Sequence, residues 1–153
     1  MSSEITGSGP ALTEQDLASF EQRVSRRIPT PYRQFLLRQN GGYPDPSDFV
    51  IKGRDGTPDL MGTVEQFLGI GLEDEYAEIE RYLTLYKDRI PADLFPIAQD
   101  PGGNVIVMAT KDPEAGKIYF WDHEEEAEEG EPPTRQNIYP VADTLQDFLQ
   151  ALG

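Results

Sequence analysis

The sequence predicts an α+β domain in which helices pack on a mostly antiparallel β-sheet. Segments with helical periodicity lie near the start, in the middle and at the end of the chain, and apolar runs with strand character lie between them. The chain has 153 residues, the size of one ordinary domain. It contains no Cys, so a buried core rather than disulfides or zinc thiolates must stabilise it.

Two helices are predicted near the N-terminus. They follow a polar segment, residues 1–11, which is expected to be a disordered tail, and the domain is expected to span residues 12–153. Thr13 is the candidate N-cap of the first helix, and Pro29 ends that helix. The second helix begins at Thr30. A helix C-cap and turn is expected at its end, formed by Asn40, Gly41 and Gly42.

The middle of the chain predicts strands over residues 49–53 and 63–71, followed by a third helix that begins at Asp74. A short strand around residues 96–98 leads into DPGGN, residues 100–104. This sequence is typical of a tight hairpin turn in which the aspartate accepts backbone N–H bonds. The turn residues of interest are Asp100, Gly103 and Asn104.

NVIVMAT (104–110) and KIYFWDHE (117–124) predict a β-hairpin joined by the turn KDPEAG (111–116). A charged loop follows this hairpin. The chain then ends in a helix whose N-cap is expected at Asp143 or Thr144.

Alternation along the second hairpin strand places Ile118 and Phe120 on one face and Trp121 and His123 on the other. If the first face is the core face, Trp121 projects outward. If the phase is reversed, Trp121 belongs to the core. The sequence leaves both arrangements open.

The net charge is −15 and is unevenly distributed, because residues 1–60 carry 8 acidic and 7 basic side chains whereas residues 61–153 carry 20 and 6. This charge argues against nucleic acid as a partner, since phosphate binding needs Lys and Arg. It favours a basic protein partner, and the alternative is that it serves solubility alone. No apolar run approaches the ~20 residues of a membrane span. A cytoplasmic protein is expected, and no oligomeric state is indicated.

Four motifs, in order, resemble those of the SUKH family. IPTPYRQFLLRQNGG (28–42) resembles the family's LP-x-x-Y-x-x-F-L-x-x-N-G-G motif, and FLGIG (67–71) resembles its F-x-G-I/L strand. FPIAQDPGGNVIVM (95–108) and KIYFWDHE (117–124) resemble two later strand motifs. The match runs from about Leu12 to Leu152. The family comprises bacterial immunity proteins against polymorphic toxins and a yeast cell-wall assembly regulator.

The resemblance implies a non-enzymatic protein that binds a cognate toxin domain and blocks its active site, without a cofactor or a metal. Many such toxins act on nucleic acids and are basic near their active sites. An acidic inhibitor can occupy such a surface as a phosphate mimic. One alternative is a regulatory or scaffold protein of the same fold, as the eukaryotic relatives are.

The candidate interface is WDHEEEAEEGE (121–131), which contains the only Trp and the only His and in which seven of the eleven residues are acidic. An exposed Trp surrounded by carboxylates would anchor an Arg- and Lys-rich target. The predicted partner-binding residues are Trp121, Asp122, Glu124, Glu125 and Glu126. A second group lies in the loop after the NGG motif, since loops on a rigid scaffold carry function, and comprises Tyr43, Asp45 and Asp48.

A hydrolase site and a metal site are the alternatives for the same stretch. A hydrolase would use Asp122 and His123 together with Asp100, which would have to converge in a pocket. A metal site is not predicted, because the chain has one His and the glutamates lack the spacing of a calcium loop. The composition of the glutamate run predicts that it is mobile when free and becomes ordered on a partner.

Overall fold

Four α-helices are present in the part of the chain that the computed structural model describes, residues 4–53 and 56–153. They are α1 (Glu14–Val24), α2 (Thr30–Arg38), α3 (Ile79–Leu85) and α4 (Leu145–Ala151). Short 3₁₀ turns cover Glu75–Ala77 and His123–Glu125. Each α-helix lies within a segment that the sequence predicts to be helical.

Nine β-strands complete the described fold, and they pair with one another in the antiparallel sense. They are β1 (Glu4–Thr6), β2 (Tyr43–Asp45), β3 (Asp48–Ile51), β4 (Leu60–Thr63), β5 (Gln66–Phe67), β6 (Leu94–Gln99), β7 (Val105–Ala109), β8 (Ile118–Trp121) and β9 (Ile138–Ala142). The central sheet has the order β5-β6-β7-β8-β9, while β1 pairs with β2 and β3 pairs with β4. The predicted α+β class is confirmed.

The start of α1 shows how local sequence determines a helix boundary. The Thr13 hydroxyl accepts the N–H of Asp16 at 3.1 Å, and the Asp16 carboxylate accepts the N–H of Thr13 at 2.9 Å. This reciprocal capping box satisfies two of the N–H groups that a helix start leaves unpaired. Leu17 and Phe20 then lie one turn apart on the buried face of α1.

The hairpin of β7 and β8 forms the centre of the core. Every residue of β7 is buried, as expected for a strand with a continuous apolar run that is covered on both faces. Phe120 of β8 packs against Phe49 of β3 with ring centroids 6.2 Å apart. Its neighbour Trp121 points to the opposite face and packs against Tyr86, which follows α3, with ring centroids 5.5 Å apart. Both faces of β8 are therefore covered, each by a different element.

The two-stranded sheets lie beside the edges of the central sheet. Gly42, just before β2, pairs with Phe67 of β5 through two backbone hydrogen bonds. At the other edge, the Lys52 N–H donates to the Pro140 carbonyl of β9 at 3.0 Å. The β3–β4 hairpin therefore lies next to β9, at the edge of the sheet beside β8, the strand that precedes the acidic residues 122–131.

The NGG motif differs from the predicted glycine C-cap. The capping residue of α2 is Gln39, in an extended conformation, and Asn40 is 2 % exposed. Its side-chain amide donates to the carbonyls of Pro10 and Ile70 at 2.9 and 2.7 Å and accepts the Ile70 N–H at 2.8 Å. Gly41, with φ +72°, is required here because a Cβ would lie 2.8 Å from the Phe67 carbonyl oxygen.

The described part of residues 1–11, for which a disordered tail is predicted, is placed against the domain. Strand β1 pairs with β2, with Ile5 opposite Pro44. The Gly9 N–H donates to the Asn40 carbonyl at 2.8 Å, and the Ser8 hydroxyl donates to the Gly41 carbonyl at 2.8 Å. These contacts join residues about 30–40 positions apart in the sequence, so local composition does not indicate them. Residues 1–3 lie outside the described residues.

Two other elements differ from the sequence prediction. The strand predicted over residues 63–71 is divided into the end of β4 and the short β5, between which the Val64 N–H donates to the Ser47 carbonyl. Strand β9 is not predicted, because Pro140 lacks an N–H and is unfavourable within a paired strand. It is accommodated at the sheet edge, where the pairing of β8 with β9 shifts register.

Candidate functional site

The acidic segment, defined as residues 122–131, begins where β8 ends. The Asp122 N–H donates to the Asn137 carbonyl at 2.9 Å, and the Asn137 amide donates to the Asp122 carbonyl at 3.0 Å. The Asp122 carboxylate accepts the Glu124 N–H at 2.9 Å and so caps the 3₁₀ turn. The first residues of the segment are therefore held in place by hydrogen bonds to the central sheet and within the turn.

The pKa of the Asp122 carboxyl group is raised above its ordinary value. Partial burial is the largest cause and raises the pKa of its carboxyl group, while the Glu124 N–H works in the opposite direction. The neighbouring Glu125 carboxylate raises the pKa of Asp122 further, through close contact and charge repulsion. Asp122 is therefore a half-buried carboxylate that lies close to the exposed carboxylate of Glu125.

Trp121, one of the predicted partner-binding residues, is not an exposed anchor, and the structure decides between the two arrangements that the sequence leaves open. Its side chain is 0 % exposed, and the arrangement with Trp121 in the core is the one that the structure shows. Tyr86 packs edge-on against the indole ring, and the Arg89 guanidinium lies 5.9 Å from the ring centre. Trp121 is therefore a core residue at the start of the acidic segment. The Phe120 face and the Trp121 face of β8 are both covered.

Two of the predicted glutamates have partners within the chain. The Tyr139 hydroxyl donates to Glu125 at 2.6 Å. Arg89 donates to both carboxylate oxygens of Glu126, at 3.0 and 2.9 Å. This bidentate pairing raises the pKa of the Arg89 guanidinium. Glu124, in contrast, is exposed and forms no ion pair within the described residues.

The turn DPGGN supports the acidic segment from the side. The Asp100 carboxylate accepts the N–H groups of Gly102 and Asn104 at 2.9 and 2.7 Å, as predicted. Gly103 has φ +90°. The Asn104 side chain accepts the His123 N–H at 3.0 Å, and the His123 ring lies within hydrogen-bond distance, 2.9 Å, of the Gly102 carbonyl. This turn therefore fixes the position of the residue that follows Asp122.

These contacts do not form the arrangement that a hydrolase would need. Asp100 caps its own turn and its Oδ2 accepts the Asn104 amide at 2.9 Å, so it does not orient the His123 ring. The His123 ring is engaged with a main-chain carbonyl rather than with Asp122. A working triad requires the base to be oriented by an acid and to contact a nucleophile. The proposed convergence of Asp122, His123 and Asp100 is therefore absent.

The second predicted group is spread over two strands. Tyr43 is 41 % exposed in β2, next to the β5 edge of the central sheet, and Asp45 is exposed at the end of the same strand. Asp48 begins β3 and accepts the Thr63 hydroxyl at 2.8 Å. The acidic segment follows β8, three strands away from β5 in the sheet order. The structure thus places Tyr43 and the acidic segment beside different parts of the sheet.

A small cavity next to the acidic segment is absent from the sequence prediction. It has a volume of about 280 Å³ and lies between the β3–β4 hairpin and the ends of β8 and β9. Its lining includes Ile51, Leu60, Phe120, Asp122 and Glu125. Leu60 could not be predicted from the sequence, because it lines the same cavity as Phe120 only through the placement of the hairpin beside β9.

Residues 4–53 and 56–153 contain no group of three or more His, Cys, Asp or Glu side chains arranged to hold a metal ion. None of their helices has the length and apolar character to cross a membrane.

Comparison with known proteins agrees with the sequence motifs. The model of the SMI1 / KNR4 family (SUKH-1) matches residues 11–151. The chain belongs to the SUKH-1 family. The resemblance found in the sequence is thereby confirmed. The chain is also similar to the SPbeta prophage-derived uncharacterized protein YokK of Bacillus subtilis (strain 168), with 27 % identity over 92 % of this chain and 74 % of that protein. No solved structure matches the chain.

The SUKH-1 motifs correspond to structural contacts. The NGG motif provides the buried Asn40 and the close approach of Gly41 to β5. The motif around Asp100 provides the turn that contacts His123, and the motif around Trp121 provides β8. The family motifs therefore shape the scaffold, whereas most acidic residues of the segment follow the last motif.

Proposed function

We propose that this SUKH-1 protein is an immunity protein that binds a cognate toxin domain and blocks its active site, without chemistry of its own. The observation that carries this proposal is the concentration of seven acidic residues in residues 121–131, at the end of a rigid central strand. The partner is a basic protein domain, and one that acts on nucleic acid fits this charge best, since its active site must attract phosphate.

The geometry supports binding through complementary charge. Residues 122–126 are held by the Asn137, Arg89 and Tyr139 contacts, so their carboxylates are presented with little ordering cost. Exposed glutamates further along the segment are Glu128, Glu129 and Glu131. Such rim charges speed the encounter and determine partner choice more than they add affinity.

The buried Trp121 changes the expected energetics of this interface. An exposed Trp would have been the main hot spot, whereas here it fixes the base of the segment. Affinity must then come from carboxylates and from the apolar side chains beside them. Because nucleic-acid-targeting toxins act where their substrate lies, we place the protein in the cytoplasm of the cell that makes it.

The test uses the proteins encoded next to this chain's gene, expressed with and without it. An immunity protein restores growth to cells that express its toxin, and the two purified proteins bind one another. Binding is measured by calorimetry at low and at high salt with the wild type and with a Glu124→Gln/Glu128→Gln/Glu129→Gln variant. We expect the variant to bind at least about tenfold more weakly and with a smaller salt dependence.

A matched control removes the same number of charges elsewhere. Glu65, Glu73 and Glu75 are exposed and lie outside the acidic segment, so their triple change to Gln should alter binding much less. Equal losses from both variants would show that only net charge matters. A toxin whose binding ignores the acidic-segment variant would place the interface elsewhere. Binding to a housekeeping protein instead of a neighbouring gene product would favour the regulatory alternative.

A further inference from the structure

The cavity beside the acidic segment has an apolar interior that is open to solvent. Leu60 is paired with Ile51 across the β3–β4 hairpin and so faces the same side. Ile51 is 6 % exposed, but Leu60 is 62 % exposed, because it lies at the cavity mouth. Phe120 contributes the opposite wall. An exposed leucine beside an apolar cavity leaves surface that a partner side chain can cover.

Two carboxylates stand at the polar side of this cavity. Asp122 and Glu125 both line it, and each is fixed by a hydrogen bond, from the Glu124 N–H and from the Tyr139 hydroxyl respectively. They repel one another, and neither has an ion-pair partner within the described residues. A cation placed between them would relieve this repulsion.

The size of the cavity limits its occupant. About 280 Å³ is at or below the lower end of small-molecule sites, which range over about 300–1,000 Å³. This volume suits one long side chain. An apolar stem and a cationic head match the two halves of the lining, and arginine fits best, because its planar guanidinium pairs with carboxylates and stacks on aromatic rings.

We propose that this cavity binds one arginine side chain of a protein partner, with the aliphatic stem against Leu60 and Phe120 and the guanidinium between Asp122 and Glu125. The inference rests on the proposed function in taking the partner to be a basic protein. Lys52 also lines the cavity and is the competing cation among the lining residues that the structure describes. Its side chain is exposed, so it can turn to solvent when the arginine enters.

The first experiment uses the full chain and N-acetyl-arginine-N-methylamide as the probe, observed through methyl resonances in NMR titrations. The methyl groups of Ile51 and Leu60 should shift with arginine. They should shift much less with N-acetyl-norleucine-N-methylamide, which has an apolar stem but no charge. Equal shifts with both probes, or arginine-induced shifts only at other residues, would overturn the proposal. The same shifts with magnesium chloride would show a general cation site and would also overturn it.

Variants test each part of the cavity. Asp122→Asn/Glu125→Gln should weaken arginine binding about tenfold or more. Leu60→Ala, at an exposed position that does not hold the fold, should also weaken it, and Lys52→Gln should strengthen it. Glu128→Gln/Glu129→Gln is the matched control and should leave it unchanged. If Asp122→Asn/Glu125→Gln unfolds the 3₁₀ turn, the Leu60 and Lys52 variants still decide the outcome, since unchanged affinity in both contradicts the proposal.

The arginine titration does not need the toxin, so it can fail independently of the immunity role. Arginine binding without any toxin partner would leave the cavity site standing and reject the immunity function. Toxin binding that is insensitive to Asp122→Asn/Glu125→Gln and to Leu60→Ala would keep the immunity function and reject the cavity as its contact.

Discussion

Replacing Asn40 by Ala should loosen the attachment of the N-terminal segment and destabilise the domain. The side-chain amide of Asn40 is buried and links its own segment to Pro10 and to Ile70 through hydrogen bonds. The main-chain carbonyl of Asn40 accepts the Gly9 N–H. The substitution removes the three side-chain bonds but leaves the main-chain bond. The Ile70 N–H and two carbonyl groups then lose their partners, and water reaches them only partly.

The expected loss of stability follows from these three hydrogen bonds. Each contributes about 1 kcal/mol net, and water partly replaces the bond to Pro10. We therefore expect the free energy of unfolding to fall by about 2–3 kcal/mol. This is well below the about 5–15 kcal/mol of a typical domain, and the variant should remain folded. With a urea slope of about 2 kcal/mol per M, the unfolding midpoint should fall by about 1 M.

The assay is equilibrium urea unfolding, with Gln39→Ala as the matched control. Gln39 is the preceding residue and its side-chain amide makes one hydrogen bond, to the Ile5 carbonyl at 3.2 Å. Its removal should cost less than about 1 kcal/mol. Amide exchange at Gly9 and Ile70 should also accelerate in Asn40→Ala. Equal, small losses in the two variants, with unchanged exchange at Ile70, would refute the role assigned to Asn40.

Three further outcomes are expected. The fluorescence of Trp121, the only tryptophan, should resist acrylamide quenching in the native protein and move to longer wavelength on unfolding. Trp121→Ala should cost about 3–5 kcal/mol in urea unfolding, because it empties a buried site. Arg135 lowers the pKa of Asp93 through two hydrogen bonds. This pairing therefore stabilises the folded protein at pH values above the pKa that the carboxyl group has in the unfolded chain. The stabilisation is lost as the pH falls through the lower pKa of the folded state. Arg135→Gln should therefore cost less than about 1 kcal/mol at neutral pH, and the difference from wild type should vanish in acid.

The hairpin of β7 and β8 could be predicted because its information is local. Its apolar runs and the intervening turn lie within neighbouring residues, and the same holds for the turn before β7, where Asp100 accepts the N–H groups of Gly102 and Asn104. The orientation of Trp121 could not be predicted, because alternation distinguishes two faces but does not say whether one or both are covered. Here Phe49 covers one face and Tyr86 the other, and both come from distant parts of the chain.

The difference between local and long-range information also explains why the sequence does not predict the contacts of Asn40 or the cavity. The sequence indicates a turn at the NGG motif, yet the partners of Asn40 lie thirty residues away on either side. The acidic segment is evident from composition. Its apolar neighbour Leu60 becomes part of the site only when the β3–β4 hairpin lies beside β9. The apolar part of the candidate site therefore depends on where the β3–β4 hairpin lies in the fold, which composition does not reveal.

The contacts of the acidic segment divide its charges into three groups with different roles. Glu126 is neutralised locally by Arg89, and this pair covers one side of Trp121, so its contribution is to hold the segment. Asp122 is half-buried beside the exposed Glu125, and neither forms an ion pair within the described residues, so a cation placed between them would gain more than it would in open water. The exposed glutamates beyond them act mainly through a field that salt screens over about 8 Å. The proposed function and the proposed arginine site together assign partner selectivity mainly to Asp122 and Glu125, because these two carboxylates line a cavity whose other walls are apolar.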